Sequence, residues 1–374
     1  MGRTLLVTND FPPTIGGIQS YLRDFLRTLN PEDVVVFAST QDQAAARDHD
    51  RGLPFRVHRW PHRIMLPTPA TAEAMANIIV AEKIDTVWFG AAAPLALMAR
   101  RARKAGASRI VATTHGHEVG WSMLPFARQV LRRIGDASDV VTYISDYTLG
   151  RFRSAFGPHP EFRHLPSGVD TGVFIPAGAE ERAVTRHAEG WGKAPVITCI
   201  SRLVPRKGQD QLIRAMPAVL KEHPEALLVI VGDGPYRRAL EKLAAPVGRA
   251  VRFTGKVDHD RMVSLLAASD IFAMPARTRG GGLDVEGLGI VYLEAQSCGL
   301  PVIAGDSGGA PETVVPDCGV VVSGRDGAGL VAALSRLLAD PELRARWGSR
   351  GRRHVEECWT WEIMGARLRQ ILAG

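Results

Sequence analysis

The segment VITCISRLVPRKGQD, residues 196–210, places a short apolar run directly before a loop that carries two cations and a glycine. The apolar run predicts a buried strand, and a helix is expected to begin after Gly208. Arg202 would leave the end of the strand, and Lys207 would lie beyond the bend that Pro205 makes in the loop. The segment therefore predicts a strand–loop–helix unit, which is the repeating element of α/β proteins.

The same alternation of short apolar strands and amphipathic helices continues along the chain. One helix face near the N-terminus is marked by apolar residues three or four positions apart, at Ile18, Tyr21, Leu22, Phe25, Leu26 and Leu29. The predicted strands are RTLLVT, VVVF, TVWFG, RIVATTH and VVTYIS in the first half and VITCIS, ALLVIVG, VRFTG, IFAMPA and PVIAG in the second. This alternation predicts parallel sheets covered by helices on both faces, with ligands bound beyond the carboxyl ends of the strands.

The chain has 374 residues, which is enough for two domains of roughly 150–200 residues each. The alternation breaks once, after HLPSGVDTGVF, where a stretch rich in glycine, alanine and charge contains no predicted strand. We therefore predict two doubly wound, Rossmann-like domains that face a cleft, and a C-terminal helix that packs back on the first domain. The predicted limits are 1–170 for the first domain, 171–194 for the connection, 195–356 for the second domain and 357–374 for the returning helix.

Charge and composition narrow the classes of partner. The net charge is +7 and the pI is near 9.5, which indicates an anionic partner. Nucleic acid is disfavoured, because the aromatic content is low and no zinc-finger spacing, aromatic ribonucleoprotein motif or basic tail occurs. A nucleotide diphosphate or an anionic membrane surface suits the charge as well. No apolar run approaches the roughly 20 residues that span a bilayer, and the scattered cysteines predict free thiols in a reducing cytosol.

Two loops that follow predicted strands carry candidate phosphate ligands. Arg202 and Lys207 could converge on a diphosphate, although a pair of solvated surface cations would give the same pattern. Gly16 and Gly17 precede the first helix, whose free N–H groups could hold a phosphate or a hydroxyl, although a tight turn alone also requires glycine. The Gly16 loop lacks the GxGxxG and P-loop patterns, which argues against dinucleotide oxidoreductases and P-loop kinases.

Two histidines, His115 and His117, follow the predicted strand RIVATT. A structural role and a polar functional role fit that position equally well. A metal site is less favoured, because no third ligand lies at a suitable spacing. The run from Asp258 to Asp260 imitates an Asp-x-Asp metal site, but Asp260 also suits the start of a helix. We therefore predict no metal ligand and no requirement for a divalent metal.

The stretch EGLGIVYLEA, residues 286–295, separates Glu286 from Glu294 by eight positions. Its glycines delay helix formation, so the helix is expected to begin near Ile290. Glu286 would then precede the helix and Glu294 would lie in its second turn, with the N–H groups of the helix start between them. That order matches the sugar hydroxyls, the diphosphate and the ribose of a nucleotide sugar. Two solvated carboxylates beside a helix start are the ordinary alternative.

The motifs, taken in order, resemble those of one family. The order is the GG loop, TxH, PSGVD, SRLxxxKG, VGDGP, E-x7-E and SGGAPE, as in retaining glycosyltransferases of family 4, which have the GT-B fold. A narrower resemblance to the actinobacterial phosphatidylinositol-mannoside mannosyltransferases is carried by NDFPPTIGGIQSYL, WFGAAAPLAL, THGHEVGWSMLP and ARTRGGGLDVEGLGIVYLEA. This resemblance implies transfer of mannose from GDP-mannose to phosphatidylinositol monomannoside through an α-1,6 link, which gives the dimannoside. It implies no tightly bound cofactor.

The resemblance also implies roles for residues of the second domain. Arg202 and Lys207 correspond to the family's diphosphate-binding pair. Glu286 corresponds to its sugar-binding glutamate and Glu294 to its ribose-binding glutamate, in agreement with the helix spacing. Lys256 and Val257, after the strand VRFTG, match the place where the family seats the base.

In the first domain, the histidine of the TxH motif falls on His115 rather than on His117. The GG loop places Gly16 near the donor phosphate and the acceptor. We expect His115, Arg202, Lys207 and Glu286 to be the catalytic residues. One departure from the family is PSGVD, where relatives commonly have asparagine at the position of Ser167.

A lipid acceptor would require docking on a membrane. A basic cluster lies at the end of the helix APLALMARRARKAG, at Arg100, Arg101, Arg103 and Lys104. The segments RWPHRIMLP and WSMLPFARQVLRRIG combine basic and apolar residues, namely Trp60, Ile64, Met65 and Leu66 beside Arg63 in the first of them. We predict a cytoplasmic protein, peripheral on the inner face of the plasma membrane, although basic helix ends and core packing explain the same residues.

Three other functions remain open from the sequence. A related GT-B transferase with another donor or acceptor would carry the same motifs. A nucleotide-sugar epimerase can share the two-domain architecture. A nucleic-acid binder is supported only by the high pI.

Overall fold

The structure is a computed structural model that describes residues 2–374 and divides the chain into two compact units. The first unit comprises the chain up to Gly168 together with Trp361–Gly374, and the second comprises Val169–Thr360. Each unit is built on one parallel sheet with helices around it. The predicted α/β class with two parallel sheets is therefore confirmed.

The sheet of the first unit has seven parallel strands in the order β3-β2-β1-β4-β5-β6-β7. The strands are β1 (Thr4–Thr8), β2 (Val34–Ala38), β3 (Arg56–Arg59), β4 (Thr86–Phe89), β5 (Arg109–Thr113), β6 (Val140–Tyr143) and β7 (Glu161–His164). All five residues of the central strand β1 are buried, as expected for a strand covered on both faces. The sequence pattern missed β3 and β7, because these edge strands are rich in charged and polar residues.

Helices flank this sheet and bury one face each. They are α1 (Gly17–Leu26), α2 (Gln43–Arg51), α3 (Pro69–Glu82), α4 (Ala99–Lys104), α5 (Glu118–Met123), α6 (Pro125–Gly135) and α7 (Asp146–Phe156). In α1 the predicted apolar face is confirmed, since Tyr21, Leu22, Phe25 and Leu26 are buried.

The second unit contains a six-stranded parallel sheet in the order β10-β9-β8-β11-β12-β13. Its strands are β8 (Val196–Ile200), β9 (Leu227–Val231), β10 (Val251–Gly255), β11 (Ile271–Met274), β12 (Val302–Gly305) and β13 (Gly319–Val322). Its helices are α8 (Ala179–Ala188), α9 (Gln209–Glu222), α10 (Arg237–Ala244), α11 (His259–Ala267), α12 (Ile290–Ser297), α13 (Gly327–Ala339) and α14 (Pro341–Cys358). The strand–loop–helix unit predicted at residues 196–210 is confirmed as β8 followed by α9.

Residues 171–194, which the sequence assigns to a connection, lie within the second unit. Their helix α8 is fixed there by two arginines. Arg182 Nη2 lies 2.7 Å from Asp270 Oδ1, and Arg186 Nη1 lies 3.2 Å from Asp270 Oδ2. The segment carries no strand, as expected. Its charged residues form ion pairs with the second unit, so the segment is part of that unit and not a free linker.

The last helix, α15 (Trp361–Ala373), belongs to the first unit. Arg109 Nε donates a hydrogen bond to the Ile371 carbonyl at 2.7 Å, and Thr86 Oγ1 donates to the Leu372 carbonyl at 3.2 Å. The rings of Phe25 and Trp361 meet edge to face at 5.1 Å between centroids. The predicted return of the C-terminal helix to the first domain is therefore confirmed, with α14 ending before it at Cys358.

A buried carboxylate ties three segments of the first unit together. Glu82 at the end of α3 accepts hydrogen bonds from Arg3 Nη1 at 2.9 Å and from Arg56 Nη1, and His58 Nε2 lies 3.3 Å away. Burial alone would raise the pKa of Glu82, but hydrogen bonds from Arg56, Arg3 and His58 lower the pKa below its ordinary value. Glu82 therefore stabilises the fold in its ionised form.

We expect Glu82→Gln to reduce the free energy of unfolding at pH 7 by about 2 kcal/mol, because charge-assisted hydrogen bonds are lost. A lowered pKa contributes stability above the ordinary pKa of a glutamate, and that contribution disappears as the pH falls through the folded-state pKa. Urea unfolding at pH 7 and at pH 3.5 should therefore show a difference that shrinks in acid. The control is Glu73→Gln, whose exposed carboxylate pairs with Arg101 and should change the free energy of unfolding by less than about 1 kcal/mol. An effect of equal size at both pH values would contradict the assignment.

Candidate functional site

The candidate donor residues of the second unit follow the carboxyl ends of its strands. Arg202 comes two residues after β8, Lys256 comes directly after β10, and Ser307 comes two residues after β12. Because all strands of this sheet are parallel, their carboxyl ends meet at one edge. The edge therefore collects cations, hydroxyls and carboxylates from loops that are distant in sequence.

Lys207 closes a single helical turn, Pro205–Lys207, directly before α9. Its Nζ lies 2.6 Å from Glu286 Oε2, and the side chains retain only 12% and 8% of their exposure. The turn depends on Gly208, whose φ of +79° is left-handed and whose Cβ position would lie 2.1 Å from the Pro275 carbonyl oxygen. The structure thus joins two predicted site residues in one largely buried ion pair.

Arg206, which the sequence analysis did not single out, contributes to the same place. Its Nε lies 3.6 Å from Asp284 Oδ1 and 3.9 Å from Glu286 Oε2. The signal for it was the adjacent pair of cations in VPRKG, of which only Lys207 matched the family motif. Glu286 therefore faces two cations rather than one.

Arg202 stands apart from this pair. Its side chain is exposed, and within residues 2–374 its guanidinium makes no hydrogen bond or ion pair. The Arg202 carbonyl accepts a hydrogen bond from Gln209 Nε2 at 3.2 Å, which fixes the backbone but leaves the charge unengaged. Arg202 is thus available to an anionic ligand, but the structure does not place it against Lys207.

The backbone of Glu286 is held by the loop after β12. The Glu286 N–H donates to Ser307 Oγ at 3.1 Å, and the Gly309 N–H donates to the Glu286 carbonyl at 3.0 Å. At Gly308 a Cβ would lie 1.8 Å from that same carbonyl, so only glycine permits the approach. These contacts set the Glu286 carboxylate in place before α12 begins.

Helix α12 begins at Ile290, as the sequence predicts. Gly289 precedes it with a left-handed φ of +87°, and no side chain caps the helix start. The uncapped N–H groups of the first turn carry a partial positive charge that suits an anionic oxygen. A Cβ at residue 289 would lie 2.6 Å from the Tyr292 ring, so glycine is required there as well.

Glu294 lies in the second turn of α12, partly buried. Within residues 2–374 its carboxylate has no hydrogen-bond or ion-pair partner. Loss of hydration without a compensating partner raises the pKa of Glu294 to about 7. A carboxyl in this state can accept or share hydrogen bonds with hydroxyl groups of a ligand.

Lys256 and Val257 follow the edge strand β10, which ends at Gly255. Lys256 is exposed, Val257 is partly buried, and no ion pair engages Lys256 in the described part of the chain. The helix after them is capped by Asp258, which accepts a hydrogen bond from the Arg261 N–H at 2.8 Å. Helix α11 therefore starts at His259 with Asp258, not Asp260, as its N-cap.

The first unit contains the remaining predicted site residues. Gly16 precedes α1 with an extended backbone, and no side chain caps that helix. His115 Nε2 lies 2.7 Å from the Gly90 carbonyl, and its ring meets Tyr21 edge to face at 4.9 Å. Loss of hydration lowers the pKa of His115 to about 4. At neutral pH this imidazole is uncharged and donates from Nε2, which leaves Nδ1 as an acceptor.

Glu118 is a buried neighbour that the sequence analysis missed. Its carboxylate accepts a hydrogen bond from the His115 backbone N–H at 3.1 Å, and burial raises its pKa. The signal available in THGHEVG was a glutamate three residues after His115 at a helix start. The second histidine, His117, is exposed.

Residues 2–374 contain neither a metal-type cluster nor a helix suited to span a membrane. No three side chains among histidine, cysteine, aspartate and glutamate gather in a way that could hold a metal ion. No helix in the same range combines the length and the apolar character needed to cross a bilayer.

Comparison with known proteins places this geometry in a family. The family model described as Glycosyl transferases group 1 matches residues 181–354, and the model described as Glycosyltransferase Family 4 matches residues 15–173. A protein of Corynebacterium glutamicum named GDP-mannose-dependent monoacylated alpha-(1-6)-phosphatidylinositol monomannoside mannosyltransferase is 62% identical over 371 residues, covering 99% of this chain and 97% of the relative. A Mycolicibacterium smegmatis protein, named GDP-mannose-dependent alpha-(1-6)-phosphatidylinositol monomannoside mannosyltransferase, is 52% identical, covering 99% and 98%.

Solved structures support the fold. Anabaena Alr3699/HepE in complex with UDP has a TM-score of 0.82 at 20% identity and covers the whole of both chains. Sucrose-phosphate synthase from Thermosynechococcus elongatus has a TM-score of 0.80 at 23% identity, covering 99% of this chain and 98% of that structure. The predicted GT-B fold is therefore confirmed.

We expect the raised pKa of Glu294 to make the protein less stable at neutral pH than at pH 4.5. A carboxyl whose pKa rises from 4.5 to about 7 on folding contributes stability below pH 4.5 that is lost as the pH rises to 7. Relative to wild type, Glu294→Gln should gain up to roughly 3 kcal/mol in the free energy of unfolding between pH 4.5 and pH 8. Urea unfolding at both pH values measures this, with the exposed Glu225→Gln as control. A difference between Glu294→Gln and wild type that does not change with pH would show that Glu294 is not desolvated.

Proposed function

The chain belongs to the family 4 glycosyltransferases, and we propose that it transfers mannose from GDP-mannose to phosphatidylinositol monomannoside through an α-1,6 link, giving the dimannoside. The observation that carries this conclusion is 52–62% identity, over nearly the whole chain, to relatives named for that reaction. The narrower resemblance predicted from the sequence is confirmed by the same relatives. The protein is therefore a hexosyltransferase that extends a glycolipid.

Donor binding is proposed to use the carboxyl edge of the second unit. Lys207 and Arg202 would bind the diphosphate of GDP-mannose, together with the uncapped N–H groups at the start of α12. Diphosphate oxygens would compete with Glu286 for Lys207 and thereby release the Glu286 carboxylate to accept hydrogen bonds from mannose hydroxyls. Glu294 would bind the ribose hydroxyls.

Lys256 and Val257 are proposed to seat the guanine. Their position after the edge strand β10 supports this assignment, since it gives the base a place at the end of the row of donor residues. In the first unit, Gly16 is proposed to contact the donor phosphate and the acceptor. His115 would accept a hydrogen bond at Nδ1, because its low pKa keeps the ring neutral.

The chemical step is proposed to proceed by front-side attack. The bond between the anomeric carbon and the diphosphate oxygen breaks, and the acceptor oxygen bonds to the anomeric carbon on the same face. The acceptor proton passes to the departing diphosphate. Lys207, Arg202 and the helix start stabilise the negative charge that develops on the leaving group. In this route Glu286 orients the sugar and forms no covalent bond, and no divalent metal takes part.

We expect Lys207→Ala and Arg202→Ala each to weaken GDP binding at least about tenfold, since a charge-assisted hydrogen bond contributes about 1.5–3 kcal/mol. Glu286→Gln should keep GDP affinity while turnover falls, because the carboxylate acts on the sugar. Calorimetry with GDP and an assay with GDP-mannose and phosphatidylinositol monomannoside measure the two effects.

The exposed Lys221→Ala on α9 is the matched control and should behave as wild type. Unchanged GDP affinity in both cation variants would refute the diphosphate assignment. Conversion of GDP-mannose to another nucleotide sugar without extension of the lipid would identify an epimerase instead.

Docking on an anionic membrane is proposed for the first unit. Its exposed apolar side chains include Met123 at the end of α5, Leu124 before α6 and Phe126 in the first turn of α6. Arg128, Arg132 and Arg133 follow on α6. An amphipathic helix of this kind binds the interface through apolar residues and basic charges together. The proposal places the protein at the inner face of the plasma membrane.

The structure divides the other predicted docking residues into two kinds. Arg100 and Lys104 have no partner in the described chain, whereas Arg101 pairs with Glu73 at 2.6 Å and Arg103 pairs with Asp139. In the segment RWPHRIMLP, Ile64 and Leu66 are exposed, as a docking surface requires. Met65 is fully buried and Trp60 packs against the core, so these two residues are structural instead.

We expect the double variant Leu124→Ser/Phe126→Ser to reduce binding to vesicles of phosphatidylglycerol about tenfold or more, because two apolar side chains no longer enter the bilayer. GDP affinity should be unchanged. The control Val80→Ser/Val184→Ser removes two similarly exposed apolar side chains elsewhere and should bind vesicles as wild type does. Sedimentation with vesicles measures the effect, and undiminished binding of the Leu124→Ser/Phe126→Ser variant would move the docking surface elsewhere.

A further inference from the structure

A pocket separate from the proposed donor residues opens at the carboxyl edge of the second unit. Its volume is 460 Å³, which lies within the range of roughly 300–1,000 Å³ that is usual for small-molecule sites. Three segments form it: the loop after β11, the end of β12 and the end of β13. The lining residues are 277–282, Asp306, Ser323 and Arg325. Neither Arg202, Lys207, Glu286 nor Glu294 lines it.

The pocket has an excess of unpaired positive charge. Arg277 is neutralised, because its Nη1 lies 2.9 Å from Asp210 Oδ1 and its Nη2 donates to Oδ2 at 3.0 Å. Arg279 and Arg325 are exposed and pair with no carboxylate in residues 2–374, and Arg325 only donates to the Thr278 carbonyl at 3.2 Å. Two guanidinium groups therefore face the pocket against the single carboxylate of Asp306. Guanidinium groups favour phosphate, which they bind through paired hydrogen bonds.

The remaining polar groups of the pocket indicate a ligand that carries other polar groups besides a phosphate. Asp306 Oδ1 accepts a hydrogen bond from the Gly324 N–H at 3.1 Å, which holds the exposed carboxylate at the pocket wall. Ser323 adds an exposed hydroxyl. A carboxylate repels a phosphate but accepts hydrogen bonds from hydroxyl groups. A ligand that carries both a phosphate and several hydroxyls satisfies both sides of the pocket.

The loop after β11 brings its backbone to the pocket through three consecutive glycines. Gly280, Gly281 and Gly282 have φ values of +57°, +62° and +98°, in the region that favours glycine. Their lack of side chains leaves room for a ligand between Arg279 and Arg325.

The pocket shares a wall with the donor site. Thr278 Oγ1 lies 3.2 Å from Ser307 Oγ, and Ser307 Oγ accepts the Glu286 N–H at 3.1 Å. The Arg277 N–H donates to the Arg206 carbonyl at 2.8 Å. A ligand in the pocket would therefore lie one hydrogen-bonded residue away from the backbone of Glu286.

We propose that the pocket formed by Arg279, Arg325, Asp306 and the turn 280–282 binds a phosphorylated polyol, with the phosphate on the arginines and the hydroxyls on Asp306 and Ser323. The site stands on its own geometry and does not depend on the proposed transferase reaction. Its ligand chemistry is shared by soluble inositol or sugar phosphates and by the headgroup of an inositol glycolipid. Only the second source rests on the proposed function.

The test compares binding of myo-inositol 1-phosphate to wild type and to Arg279→Gln/Arg325→Gln by calorimetry. Wild type should bind, the double variant should bind about tenfold more weakly or worse, and both should bind GDP equally. The control Arg214→Gln/Lys221→Gln removes two exposed cations of α9 and should bind as wild type does. Inorganic phosphate should bind wild type more weakly than inositol phosphate, and Asp306→Asn should reduce that preference.

A second arm identifies the source of the ligand with a short-chain phosphatidylinositol monomannoside as acceptor. A raised KM for this acceptor in Arg279→Gln/Arg325→Gln, at unchanged kcat, assigns the pocket to the lipid headgroup. An unchanged KM together with lost inositol phosphate binding assigns it to a soluble ligand. Absence of inositol phosphate binding in wild type, or equal binding in the double variant, would overturn the proposal. Absence of mannosyl transfer would refute the proposed reaction and leave the binding arm intact.

Discussion

The ion pair between Lys207 and Glu286 is the contact on which the arrangement of residues at the carboxyl edge of the second unit depends. Both side chains are largely buried, so each charge requires the other as its partner, because a buried unpaired charge is strongly unfavourable. The pair joins the loop after β8 to the loop before α12, which are about 80 positions apart in sequence. Two glycines permit close backbone approaches beside the pair: Gly208, next to Lys207, lies against the Pro275 carbonyl, and Gly308, in the loop after β12, lies against the Glu286 carbonyl. The glycines therefore allow the close backbone approaches, and the ion pair compensates the two buried charges.

Glu286 and Glu294 show how one residue type acquires two electrostatic states within a single motif. Glu286 is paired with Lys207 and faces Arg206, so its charge is compensated. Glu294 has no such partner within residues 2–374, and loss of hydration raises its pKa to about 7. The spacing of eight residues predicted where each carboxylate lies relative to the helix start. It contained no information about the cations, because these come from another loop.

The sequence predicted the central strands of both sheets and missed three edge strands, β3, β7 and β13. The central strands and the start of α12 follow from buried apolar runs and from glycine, so they were predicted correctly. The edge strand β3 reads RVHR, a pattern that does not distinguish a strand from a polar loop. The sequence predicts a connection where α8 lies, because the contacts that fix this helix, from Arg182 and Arg186 to Asp270, link charged residues over 80 positions apart. The sequence does not single out Arg206 for the same reason, because its contacts with Asp284 and Glu286 are tertiary.

The charged residues at the amino edge of the first sheet are paired, whereas several cations at the carboxyl edge of the second sheet have no carboxylate partner in the described chain. At the amino edge of the first unit, Glu82 is engaged by Arg3, Arg56 and His58, so its charge contributes to stability. At the carboxyl edge of the second unit, Arg202, Arg279 and Arg325 have no carboxylate partner in the described chain. Cations without partners contribute nothing to folding and repel one another. An anionic ligand that pairs with these cations would therefore stabilise the folded unit.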